Sequence, residues 1–188
     1  RNLQRAAQAV VEQYGGELPA SYEALRALPG IGDYTAGAVA SLAFGLPYAA
    51  VDGNVLRVWS RLHADDADIS APATKRRMAA EVQAAQPAQR PGDFNEALME
   101  LGALVCLPNG EPLCAQCPWG GICLARKQGR QAMLPVKAPR KARKALCYTV
   151  ALVVRGGSRP ALLLEQRLAS GLLAGLWQPL LLEGTLPE

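Results

Sequence analysis

The 188 residues suffice for one substantial domain, or for one domain and part of a second. Half are hydrophobic and only 5% aromatic, with Ala and Leu abundant, which favours helices; no run approaches the roughly 20 apolar residues of a membrane span. The net charge of +4 leans weakly toward a polyanionic partner, and the single histidine, His63, argues against histidine-based metal sites and triads, leaving carboxylates and cysteines to carry the chemistry.

The opening Arg1-Asn2-Leu3-Gln4-Arg5 resembles neither a signal peptide nor a translational start. Leu3, Ala7, Val10 and Tyr14 recur at helical spacing, so the chain is expected to open inside an amphipathic helix, as though cut there. Ser21 can cap a short helix through Leu28. Residues 28–32 then form a tight turn, and a second helix is expected over 33–44, stopped by Gly45 and Pro47. Another starts near Asn54, with Val55, Val58, Trp59 and Leu62 on one face and Arg57 and Arg61 outside that stripe. Two more are expected over 73–86 and 94–105, the latter turning Leu98, Leu101 and Val105 inward. Residues 135–144, proline-bearing and basic, read as a linker. Beyond it, 147–155 and 161–167 are apolar runs around Gly156-Gly157-Ser158, a hairpin signal.

Three stretches carry chemistry. In Leu28-Pro29-Gly30-Ile31-Gly32-Asp33-Tyr34-Thr35-Ala36 the two glycines allow a sharp turn and close backbone approach, and the next helix presents free N–H groups that suit a DNA phosphate. An ordinary helix–turn–helix corner is the plainer reading. In Val51-Asp52-Gly53-Asn54-Val55, Asp52 precedes a helix whose N–H groups and dipole favour negative charge. Such a carboxylate suits stabilising a cation, as in oxocarbenium-like cleavage of an N-glycosidic bond, or is simply an N-cap. The third is the cysteine cluster, which holds four of the five cysteines: Cys106-x7-Cys114-x2-Cys117-x5-Cys123 reads as metal or cluster ligation in a reducing, intracellular compartment. Zinc usually takes two Cys-x2–4-Cys pairs and only one is present, whereas an iron–sulfur cluster tolerates uneven spacing.

Weaker signals are weighed beside these. Asp65, Asp66 and Asp68 suggest a solvated loop over a cation site, because such sites need more defined ligand spacing. Lys137, Arg140, Lys141, Arg143 and Lys144 suit DNA phosphates or a soluble linker equally. Trp119 reads as packing, and Cys147 as a buried thiol in a strand.

The hairpin stretch together with Val51-Asp52-Gly53-Asn54-Val55 resembles the core of MutY-type adenine DNA glycosylases, within the helix-hairpin-helix and iron–sulfur superfamily. The resemblance implies that Asp52 is catalytic with Tyr34 and Asn54 beside it, and that Gly30, Ile31, Gly32 and Thr35 contact DNA. It also implies a [4Fe–4S] cluster on Cys106, Cys114, Cys117 and Cys123, although the family's first interval is one residue shorter. The added residue falls in a loop, 107–113, that has no Lys or Arg, which puts loop contacts to DNA in doubt. The sister endonuclease III family carries a Schiff-base lysine where this chain has Tyr34, so position 34 argues for a monofunctional glycosylase.

The family's general acid, a glutamate in an upstream helix, matches no residue here. Residues from 146 on resemble the start of the family's Nudix-like domain, which helps recognise 8-oxoguanine. A true Nudix hydrolase would need a Glu-rich helix that does not occur before Glu188.

The expected fold is mainly α. A helix-hairpin-helix glycosylase domain with its [4Fe–4S] loop spans 1–128, a basic linker 129–145, and the start of an α+β Nudix-like domain 146–188. The expected substrate is double-stranded DNA with an adenine mispaired with 8-oxoguanine or guanine. The protein is expected to be a monomer in the cytoplasm, associated with DNA and not with membrane. The rival readings are an endonuclease III-like glycosylase/lyase and a non-enzymatic DNA-binding module.

Overall fold

Caps and prolines set where the helices begin and end in the computed structural model, which describes residues 1–139 and 145–184. Arg140, Lys141, Arg143 and Lys144 of the expected linker lie outside the described residues, as do 185–188. The order is α1 (Asn2–Tyr14), α2 (Tyr22–Ala27), α3 (Asp33–Phe44), α4 (Gly53–His63), α5 (Pro72–Ala85), α6 (Pro91–Glu100) and α7 (Leu124–Lys127). Ser21 caps α2, accepting from the Ala24 N–H, and Gly45 ends α3 in the left-handed region at φ 63°. Pro72 and Pro91 open α5 and α6, where a missing N–H costs nothing.

The described residues divide into two compact units, Arg1–Pro139 and Arg140–Glu188. The first is built on two apolar clusters. Ala6, Val10, Leu25, Leu28, Ala36 and Ala40 join α1 to α3, while Val55, Val58, Trp59, Met78, Val82 and Leu98 join α4 to α6. The inward face of α1 is Ala6 and Val10 rather than Leu3 and Ala7, and Leu3 is 85% exposed. Ala6 and Val10 pack against Leu25, Leu28, Ala36 and Ala40, and the hairpin turn approaches the start of α1, where a Cβ on Gly30 would stand 2.7 Å from that of Asn2. Leu134 is buried against this unit, and the Ile69 N–H donates to the Val136 carbonyl, so 134–136 pack as part of it.

The helix expected over 94–105 is α6 followed by a π-helical turn, Leu101–Val105. The turn carries Gly102 against α4, where a Cβ would stand 2.7 Å from that of Asn54. Arg57 and Arg61, placed by periodicity outside the apolar stripe, are buried at 5% and 4% exposure. Periodicity misplaces them because their donors are taken up by carbonyls and a thiol rather than by water.

Between α3 and α4 the chain is irregular but pinned. The Ala49 N–H donates to Gln83 Oε1 at 2.7 Å and the Ala50 N–H to Asn95 Oδ1 at 3.0 Å. Asn95 is fully buried, and its Nδ2 donates to Ser41 Oγ and the Tyr48 carbonyl. Gly37 passes so close to this segment that a Cβ would meet the Ala49 carbonyl oxygen at 2.4 Å.

The second unit holds three antiparallel strand pairs. β1 (Tyr148–Ala151) pairs with β6 (Leu180–Glu183), β2 (Val154–Arg155) with β3 (Ala161–Leu162), and β4 (Glu165–Gln166) with β5 (Trp177–Gln178). The β2–β3 hairpin encloses Gly156-Gly157-Ser158 as expected. Cys147 is exposed, not buried as expected, because it precedes a strand that turns no full face inward.

Candidate active site and thiol cavity

The N-cap of α4 and the first turn of α3 face one cavity of about 370 Å³, bringing Tyr34, Asp52 and Asn54 together with Met99 and Glu100. Asp52 Oδ1 accepts the N–H groups of Asn54 and Val55, both at 2.8 Å, while Oδ2 accepts Asn54 Nδ2 at 3.0 Å. The N-cap is formed by one oxygen, and the other is bonded to Asn54 Nδ2 at the cavity that both residues line. Tyr34 is 39% exposed, and its hydroxyl lies 3.6 Å from Met99 Sδ.

Behind Asn54 stands Arg57. Its Nη2 donates to Asn54 Oδ1 at 3.1 Å and to the Gly102 carbonyl at 2.7 Å, and its Nε donates to the Cys106 carbonyl at 2.8 Å. Burial pulls the Arg57 pKa down from its ordinary value, against the upward pull of Cys106 and Asp52. One turn on, Arg61 donates to the carbonyls of Leu134 and Leu107 and to Cys106 Sγ, the last at 3.3 Å. Sequence reasoning missed these two arginines and the Met99–Glu100 wall. The signal for the arginines was available: positions 54, 57 and 61 share one helical face.

Cys106, Cys114, Cys117 and Cys123 line a single small cavity with Arg61 and Arg126. Burial pushes the Cys114 thiol above its ordinary pKa, and the other three cysteines push the same way, so together they repel as thiolates. Protonation or a bound cationic centre relieves that. Gly120 is required here, since a Cβ would meet Arg126 Nη1 at 2.2 Å and the Cys114 and Cys117 carbonyls at 3.0 Å. Among the described residues no three His, Cys, Asp or Glu side chains converge closely enough for a single ion. Four cysteines on one small cavity form a donor set that a polynuclear iron–sulfur centre can take up.

The hairpin turn sits at the surface. Gly30 takes φ +82°, Gly32 caps α3, and Arg26 pairs with Asp33, which Tyr22 also contacts. That pairing holds the Asp33 carboxyl below its ordinary range. Asp65 and Asp66 pair with Arg77 and Arg130, and Asp68 accepts the Ser70 and Ala138 N–H groups. Trp119 packs against the α4–α6 cluster.

Residues 13–42 match the helix-hairpin-helix motif family. The chain is 39% identical to the human adenine DNA glycosylase over 95% of its own length and 40% of the relative's. It is 42% identical to that of Schizosaccharomyces pombe over 68% of its length and 28% of the relative's. It thus spans about two-fifths or less of these relatives. Among solved structures it is similar to a thermostable thymine-DNA glycosylase, at TM-score 0.57 and 30% identity, covering 68% of this chain and 58% of that one. A trapped endonuclease III–DNA covalent intermediate gives TM-score 0.56 at 30% identity, covering 69% and 58%. With a carboxylate, a tyrosine and an asparagine at one cavity beside a hairpin turn, and with sequence similarity along nearly its whole length, the chain belongs to the helix-hairpin-helix DNA glycosylases, on the adenine DNA glycosylase branch.

Proposed function

We propose that this chain carries the sugar-stabilising half of a base-excision glycosylase that hydrolyses the N-glycosidic bond of an adenine mispaired with 8-oxoguanine or guanine. The observation that carries the reading is the convergence of Tyr34, Asp52 and Asn54 on one cavity. Backbone groups of the 30–32 turn and Thr35 hold a phosphate of the duplex, and the adenine swings out of the stack into the cavity. When the glycosidic bond breaks, its electron pair leaves with the base. The base takes a proton from an acid that family resemblance puts outside these residues. The Asp52 carboxylate, fixed by two N–H groups and Asn54 Nδ2, offsets the positive charge on the sugar without reorganising. Water then adds at C1′ and gives up a proton, which restores the acid that protonated the base, leaving an abasic site and free adenine. Tyr34 has no amine, so no imine with the sugar forms there.

Cys106, Cys114, Cys117 and Cys123 hold a [4Fe–4S] cluster, which supplies a cationic core that ties the 106–123 loop together. With four protein ligands it leaves no position for substrate. The 146–188 segment is the start of a Nudix-like domain that recognises the base opposite the adenine.

Borohydride trapping tests the reaction class. The full-length protein is expected to release adenine from an 8-oxoguanine:adenine duplex while forming no covalent adduct through position 34. An efficient Tyr34-dependent adduct overturns the mechanism, and absence of adenine release overturns the function.

A further inference from the structure

A second cavity, of about 520 Å³, shares Tyr34 with the cavity that Asp52 lines. Its walls come from the start of α3 and from α5, which contributes Lys75 and Arg76. In the run Lys75-Arg76-Arg77 the third residue is bonded to Asp65 and Glu81. The side chains of Lys75 and Arg76 form no hydrogen bond or close ion pair among the described residues; both are exposed, and Lys75 acts on Asp68 only through its charge, without a bond. The one carboxylate lining the cavity, Asp33, is already held by Arg26 and Tyr22. The cavity thus presents two positive charges without a bonded partner and a carboxylate whose charge is offset.

Two such charges next to the catalytic cavity suit an anion attached to whatever occupies that cavity. An extruded nucleotide stays covalently joined to its neighbours through phosphodiesters, so the strand must leave the site past one wall or another. Tyr34 is the wall the two cavities share. We infer that the cavity between α3 and α5 receives the sugar–phosphate next to the extruded nucleotide, with Lys75 and Arg76 on its phosphate. This rests on the glycosylase reading and adds to it a strand path through the neighbouring cavity that Tyr34 also lines. The contact would position the strand without reading its sequence.

The salt dependence of duplex affinity tests this in the full-length protein, using an 8-oxoguanine:adenine duplex. Each lost phosphate contact reduces the slope of log affinity against log salt by about 0.9. Lys75→Ala and Arg76→Ala are each expected to lower the slope by roughly that amount, their combination by roughly twice it, and Arg76→Lys to restore most of it. Arg77→Ala, the same charge change at a paired neighbour, is the control and is expected to leave the slope at the parent value. Unchanged slopes for Lys75→Ala and Arg76→Ala overturn the inference. So does an equal drop for Arg77→Ala, which would mark a diffuse charge effect. Adenine release by the parent is assayed in parallel: its absence sinks the glycosylase reading whatever the slopes do, while release with flat slopes sinks only the strand path.

Discussion

Asp52 caps α4 with one oxygen and, on the proposed mechanism, faces the sugar with its carboxylate, and this makes Asp52→Asn more informative than a cap test alone. An asparagine oxygen can still accept the Asn54 and Val55 N–H groups, and Asn caps about as well as Asp. Its NH2, however, would then face Asn54 Nδ2, donor against donor, and Asn54 has no free rotation because Arg57 holds its oxygen. The variant is expected to fold, to bind duplex nearly as well as the parent, and to lose adenine release by on the order of 10²-fold or more, as for a missing preorganised stabiliser. Single-turnover release and duplex binding, measured side by side, check this; an unchanged rate returns Asp52 to capping alone. Gly102→Ala reaches the same atoms from the opposite side. Its methyl would press on the Asn54 Cβ, and with backbone on one side and α4 on the other neither can yield cheaply. An expected loss of about 1–3 kcal/mol, as for an overpacked core, is checked by chemical denaturation, together with a fall in release rate.

At the scale of elements, the α4–α5 contact is stitched by charges. Burial pulls the carboxyls of Asp65 and Glu81 upward, but their partners outweigh it and hold both below the ordinary range. Those partners are the Ala67 N–H and Arg77 for Asp65, and Trp59 Nε1 and Arg77 for Glu81. Carboxyls depressed in the folded state add stability that is complete above the unfolded carboxylate range and disappears as pH falls through the folded values. Half-exposed Arg77 screens the effect, so Asp65→Asn is expected to cost about 0.5–1 kcal/mol near pH 7. Melting curves should show the gap between parent and variant closing as pH drops from about 5 to 3. A gap independent of pH would assign the loss to packing. The helices themselves were legible because Ser21, Gly45 and the prolines punctuate them, and the hairpin because its glycines are spaced for a turn. The face of α1 was not, since Leu3 fits a helical stripe as well as Ala6 does and only the packing of Ala6 and Val10 against residues 25–40 decides between them. Nor was the burial of Arg57 and Arg61, whose partners are carbonyls 45 to 73 residues away along the chain.

Across the whole molecule, the thiol loop and the catalytic cavity are joined by one helix, with Asp52 at its head and Arg61 on Cys106 near its end. Protein prepared without oxygen is expected to be yellow-brown, with about four irons and four sulfides per chain. Serine at Cys106, Cys114, Cys117 or Cys123 should lower that content and serine at the exposed Cys147 should not; zinc without sulfide would refute the cluster. A different consequence follows from the pinned segment between α3 and α4. It has no regular secondary structure, yet the amide protons of Ala49 and Ala50 are sequestered by Gln83 and Asn95. Amide hydrogen exchange there should run at the pace of the flanking helices, not of a surface loop, because opening it means dislodging a fully buried asparagine. Asn95→Ala should speed exchange at Ala50 well before it shifts the exchange of α5. The carboxylate at 52 is thus delivered by a stretch of coil expected to exchange deuterium as a helix does.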